Sequence, residues 1–279
     1  MQQQEYIIEA PKKVAINWSE LWRYRELFYF FTWRDIKVKY KQTVLGFLWA
    51  ILQPLAMMTV FVLFFSKGLK ISTDNLPAPI FYFVGLMFWN LFSSGLNSSA
   101  NSMVTNAEII KKIYFPRLII PFSGVLVALF DFLMTLIPFI GLMLYYWITT
   151  DFMISWHILY LLPLSLLLTL ITTVGLGCTI AAWNVKYRDF RYVVPFMIQF
   201  LLFVTPVIYP VTMFDNIPFL KYILALNPMT GVMIMARNGF SSEVLPLDLI
   251  GVSIFTALIL LITGLYTFRK MEAYFADIA

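Results

Sequence analysis

The chain carries one cysteine, one histidine and charges on only 13% of its residues, and each scarcity removes a class of function. Cys178 is alone, so no intrachain disulfide can form, and its apolar surroundings suit a buried, inert thiol. His157, next to Trp156, supports neither a His/Cys metal cluster nor a Ser/His/Asp set, and an interfacial position accounts for it. No Gly-X-X-X-X-Gly-Lys-Ser/Thr occurs, and Gly175 and Gly177 do not replace it, because no strand precedes them. Small residues there suit close helix approach instead. Catalysis by this chain alone is not expected. Charge inside the apolar runs is also sparse, which argues against a proton- or ion-coupled carrier, whose path needs titratable groups.

What remains is apolar. Hydrophobic residues make up 61% of the 279, whereas about a quarter of an ordinary soluble domain is charged. Crossing roughly 30 Å of hydrocarbon takes about 20 helical residues, and continuous rather than alternating runs select helices over barrels. We therefore expect an all-α integral membrane protein with six transmembrane helices: Val44–Phe65, Ile80–Thr105, Leu118–Trp147, His157–Trp183, Val193–Pro210 and Leu249–Phe268. Between the last two, Val211–Asp248 is too apolar for an exposed loop and too broken by Pro218, Pro228, Gly231 and Gly239 for a crossing. Short re-entrant helices fit it best. Ahead of the first span, Trp18, Leu21, Trp22, Phe28, Tyr29, Thr32, Trp33, Ile36 and Tyr40 recur at helical spacing among basic residues, the pattern of an amphipathic interface helix. The alternative is an extramembrane helix packed on a partner. No internal repeat or second domain interrupts this single transmembrane domain, 1–279, in which 1–43 holds the first tail and interface helix and 269–279 the second tail. No apolar stretch with a cleavage site follows the polar start, so no removable signal peptide is expected.

Sixteen of the twenty Lys and Arg fall in 1–43, 106–117, 184–192 and 269–279, against four at Lys67, Lys70, Lys221 and Arg237. By the positive-inside rule both termini face the cytoplasm. Within the second span Asn90, Ser94, Asn97 and Asn101 form a polar stripe, which reads equally as interhelical hydrogen bonding or as a polar path. Asp131, near the middle of the third span, must find a partner or water, and reads as a structural hydrogen bond or as a functional charge.

Asn106–Arg117 is a charged island between two spans. Ile109, Ile110, Ile113 and Tyr114 give it one apolar side, Glu108, Lys111 and Lys112 give exposed charge, and Pro116 ends the helix. Tyr114 or Phe115 suits an aromatic knob for a partner's groove. An ordinary basic loop is the plainer alternative.

Five stretches carry a family resemblance. They are Arg34-Asp35-Ile36-Lys37-Val38-Lys39-Tyr40-Lys41-Gln42-Thr43-Val44-Leu45-Gly46 with Leu48-Trp49 and Gln53-Pro54; Ile110-Lys111-Lys112-Ile113-Tyr114-Phe115-Pro116-Arg117; Asn184-Val185-Lys186-Tyr187-Arg188-Asp189; Thr205-Pro206-Val207-Ile208-Tyr209; and Leu226-Asn227-Pro228-Met229-Thr230. In this order the chain resembles the membrane subunits of ABC exporters of lipid-linked polysaccharide, such as O-antigen, capsule and teichoic acid chains. The resemblance implies a homodimer in a bacterial inner membrane with two ATP-binding subunits, which hold the ATP and Mg, while this chain holds no cofactor. It implies a coupling helix at 106–117, with Glu108, Lys111, Tyr114, Phe115 and Arg117 as contacts. A polyprenyl-linked glycan would stack on aromatic faces and need polar partners for its hydroxyls. The path candidates are Phe47, Trp49, Tyr82, Trp89, Asn97, Asn101, Asp131 and Tyr209. Membrane lipids are the other expected contact, and nucleic acid is not. The alternatives are an ABC permease for a drug or small lipid, and an integral-membrane glycosyltransferase.

Overall fold

The computed structural model describes residues 18–41, 46, 48–150, 155–187, 189–240 and 244–272, and those residues build helices and connecting loops. Two helices, α1 (Trp18–Arg23) and α2 (Arg25–Lys41), precede α3 (Leu48–Phe61), which runs directly into a wide π turn, Val62–Gly68. Then come α4 (Ala78–Thr105), the short α5 (Ala107–Lys112), α6 (Ile119–Thr149) and α7 (Ile158–Lys186). After α8 (Phe190–Val204), a 3₁₀ turn at Val211–Phe214 leads to α9 (Pro218–Ala225), α10 (Pro228–Asn238) and α11 (Leu247–Met271).

Five of these elements are long and apolar enough to cross a membrane: Leu48–Gly68, α4, α6, α7 and α11. The fifth expected span differs. α8 has 15 residues, roughly 22 Å at the helical rise, and is short of the hydrocarbon thickness. Non-helical backbone follows it, because Pro206 pushes Thr205 into the extended region. α9 and α10 are bent by 104° and count as a broken span or a re-entrant loop.

α4 is the hub. Its first half, Ile80 to Trp89, is buried on every side, since α3, α6, α7, α8 and α10 all pack on it. Phe83 stacks on Phe139 of α6 and Phe88 meets Phe132, at ring distances of 5.8 and 5.2 Å. Glycines set two close approaches. A Cβ on Gly264 of α11 would lie 2.0 Å from the Gly175 carbonyl oxygen of α7, and one on Gly177 would strike Ser99 of α4. Gly264→Ala should therefore force α7 and α11 apart, at about 1–3 kcal/mol. A lowered melting temperature in detergent would register this, whereas Gly141→Ala, which meets open space, should be neutral by comparison.

The break between α9 and α10 leaves few backbone groups stranded. Asn227 accepts from the Met229 amide at 3.1 Å and donates to Thr205 Oγ1 at 2.7 Å. Thr230 donates to the Leu224 carbonyl at 2.6 Å, and Ser253 of α11 donates to Ala225 while accepting from the Gly231 amide. Irregular backbone at membrane depth survives under such cover.

Candidate functional site

Two places collect the residues singled out in the sequence. The first is a cavity of about 470 Å³ between α2, α3, α4, α6 and α8. Asn90, Ser93, Ser94 and Asn97 of α4 line one wall, Trp49 and Gln53 of α3 another, and Asp131 and Thr135 of α6 a third. Pro54 also lines it and, as an in-helix proline, withholds the bond that the Ala50 carbonyl would otherwise accept. The lining can thus meet hydroxyl-rich groups with amides and hydroxyls, and offers one indole face.

Of the path candidates, Trp49, Asn97 and Asp131 line this cavity. Asn101 does not: its side chain bonds Asn97 and accepts from Asn184 of α7 at 3.2 Å, tying two helices together. The polar stripe therefore divides, Asn90, Ser94 and Asn97 facing the cavity and Asn101 serving packing. Tyr82 is fully buried between Phe61 and Phe81. Trp89 packs on Phe92 at 5.4 Å, enclosed in the core. Tyr209 donates to the Phe203 and Val204 carbonyls and so caps the end of α8. Phe47 lies outside the described residues. Gln53, Ser93 and Thr135 line the cavity without having been expected there; Gln53, polar in a span, was the available signal.

Asp131 has found partners. Lys39 Nζ lies 2.5 Å from Oδ2, and the Tyr40 hydroxyl donates to Oδ1. Burial, then the Asp131 carboxylate, pushes the Tyr40 phenol above its usual range, so it stays a donor.

The second place is the island. α5 ends at Lys112, and Ile113 turns extended three residues before Pro116. Glu108 and Lys111 are exposed. Tyr114 is 74% exposed and Ile113 stands out beside it, while Phe115 is 4% exposed and packs on Phe31 of α2 at 5.6 Å. Phe115 is thus an anchor to α2 and Tyr114 the projecting ring. Arg117 donates to the Glu272 carbonyl at the end of α11. Asn106, at the corner between α4 and α5, accepts from Arg34 of α2 at 2.7 Å and donates to the Ser102 carbonyl.

Sequence reasoning missed Arg237, counted only as an external charge. It is 7% exposed on α10 and donates to the Pro206, Val207 and Tyr209 carbonyls at 2.6, 2.6 and 3.3 Å, with its guanidinium 3.5 Å from the Phe81 ring centre. This one side chain bridges three carbonyls of the segment after α8, beside the Asn227–Thr205 and Tyr209 bonds. Gly85 makes room, since a Cβ there would sit 2.8 Å from Arg237 Nη2.

No group of three or more His, Cys, Asp or Glu able to hold a metal occurs among the described residues. Cys178 is fully buried. His157 opens α7, with Ser155 Oγ 3.0 Å from Nδ1 and the Trp156 ring beside it.

A family model described as ABC-2 type transporter matches residues 26–241, which enclose the cavity's α2, α3, α4, α6 and α8 and the whole island. The chain belongs to the ABC-2 type transporter family. Those bounds also enclose every motif on which the sequence resemblance rests. The chain is 30% identical over 245 residues to an O-antigen export system permease protein RfbA of Klebsiella pneumoniae, covering 88% of this chain and 92% of that protein. It is 33% identical over 227 residues to an RfbA of Myxococcus xanthus, with 81% and 85% covered. A polysialic acid transport protein KpsM of Escherichia coli is 26% identical over 246 residues, with 86% and 91% covered. As a member of the ABC-2 type transporter family, the chain is a transport subunit and not the hydrolysing one.

Proposed function

We propose that the chain is the membrane subunit of an ATP-driven exporter that moves a polyprenyl-linked, O-antigen-like polysaccharide from the cytoplasm across a bacterial inner membrane. The observation that carries this reading is the cavity: neutral amides and hydroxyls with an indole face suit a sugar chain better than an ion or a hydrocarbon. The similarity to O-antigen permeases over nearly the whole chain supports the same cargo.

In this reading the chain is a homodimer with both termini cytoplasmic, and α8 together with the extended segment after it makes the fifth of six crossings. The exposed row Tyr192, Phe196, Phe200 and Phe203 on α8 faces lipid or the second copy. Two ATP-binding subunits, carrying ATP and Mg, dock on the island. Glu108, Lys111 and Tyr114 make the contact, with Ile113 added. Phe115 and Arg117 hold the segment to α2 and α11. Trp49, Asn97 and Asp131 stay in the path, joined by Asn90, Ser94 and Gln53.

Cargo class is tested by ATP hydrolysis of the complex in proteoliposomes. Lipid-linked glycan should raise the rate several-fold, and a drug or a short phospholipid should not. Stimulation by the drug or the phospholipid alone would move the assignment to the small-molecule permease, and polymer growth by the purified chain without ATP would move it to a glycosyltransferase.

A further inference from the structure

α2 touches both places at once. At Arg34 it holds Asn106, the corner on which the island turns, and five and six residues later Lys39 and Tyr40 hold Asp131 in the cavity wall. Along its length it runs beside α6, with Phe28 against Phe122 before Arg34 and Tyr40 against Phe130 at its far end, at 6.3 and 6.2 Å. A helix that short is stiff, so a shift of the island by one or two ångströms reaches the Asp131 contact with little loss. The contact itself is easily opened. Lys39 is about half exposed, and an ion pair with that access to water is only weakly held. Among the described residues Lys39 and Asp131 are also the one cation and the one anion lining the cavity, and their pairing leaves that lining neutral.

We propose that Lys39, Tyr40 and Asp131 form a latch between α2 and α6 that closes the polar cavity at rest and is released when the island pulls on α2 through Arg34 and Asn106. The latch rests on the export reading for its role in the cycle, though its existence does not.

Two arms test it in membrane vesicles from cells that express the chain with its ATP-binding subunit. In the first, Ser94→Cys reports cavity access by its labelling rate with a water-soluble methanethiosulfonate, against the slow background of buried Cys178. Lys39→Asp, which sets two carboxylates face to face, should speed labelling at least fivefold, and Lys39→Asp with Asp131→Lys should restore the slow rate. Equal labelling in all three overturns the latch. In the second arm, Lys39→Cys and Asp131→Cys are bridged by a short bis-methanethiosulfonate reagent. Bridging should cut export at least tenfold relative to the same double variant before the reagent, with recovery on reduction, while the wild-type chain treated alike keeps exporting. Undiminished export from fully bridged protein would overturn the need for opening. If the wild-type chain in the same vesicles exports no glycan, the export reading fails, and the labelling arm still decides the latch.

Discussion

Replacing Arg237 by methionine should destabilise the chain by about 4 kcal/mol, because two buried charge-assisted hydrogen bonds of about 1.5–3 kcal/mol each are lost and the carbonyls they served are left without donors. Pro206 and Val207 cannot turn to water, since Val207 is fully buried. Arg237→Lys keeps the charge but reaches fewer of the three carbonyls, and the planar stack on Phe81 goes with the guanidinium. An intermediate loss, about half as large, is expected. Thermal unfolding in detergent, followed by the loss of monodisperse protein, should rank wild type above Arg237→Lys above Arg237→Met. Equal stability of all three would mean that the segment after α8 holds its shape without this side chain.

The second large effect separates two neighbours. Tyr114→Ala should leave the fold intact, because the ring is exposed, and should weaken the ATP-binding subunit's hold by about 2 kcal/mol, a roughly thirtyfold loss of affinity for a hot-spot ring. Phe115→Ala should do the reverse. Its ring is buried against Phe31, so truncation opens a cavity at about 3–5 kcal/mol and loosens α2. Pull-down titration against the ATP-binding subunit and thermal unfolding read the two losses separately. If both variants keep wild-type affinity, the island is an ordinary basic loop. If Phe115→Ala weakens docking while leaving the melting temperature unchanged, the ring does not serve as the anchor assigned to it.

These contrasts mark where the sequence could be read and where it could not. Span positions were legible because hydrocarbon demands unbroken apolar runs, and Pro228, read as a breaker, stands where α9 gives way to α10. α8 was overextended to Pro210, since Thr205-Pro206-Val207-Ile208-Tyr209 is as apolar as a helix and only its geometry shows the break. Arg237 was invisible for the opposite reason: a charge in a stretch broken by prolines and glycines looks solvated until the carbonyls of Pro206 and Val207 are seen around it. Asp131 and Lys39 lie far apart in the chain, so no periodicity could pair them. Tyr82 and Trp89 carry faces that suit a sugar ring and a packed core equally, and only the structure shows that this part of α4 is packed all round. Gly175 and Gly177 were read as sites of close approach, and both are. The partner residues, Gly264 and Ser99, had no local sign.

The most direct test of the central claim is transfer of polymer. Purified chain and ATP-binding subunit are reconstituted in proteoliposomes, polyprenyl-linked glycan is supplied with ATP and Mg outside, and the fraction protected from an added glycosidase is measured. The account predicts ATP-dependent protection that is lost without the ATP-binding subunit and sharply reduced by Tyr114→Ala. Protection that accrues equally without ATP, or that Tyr114→Ala leaves unchanged, would contradict it.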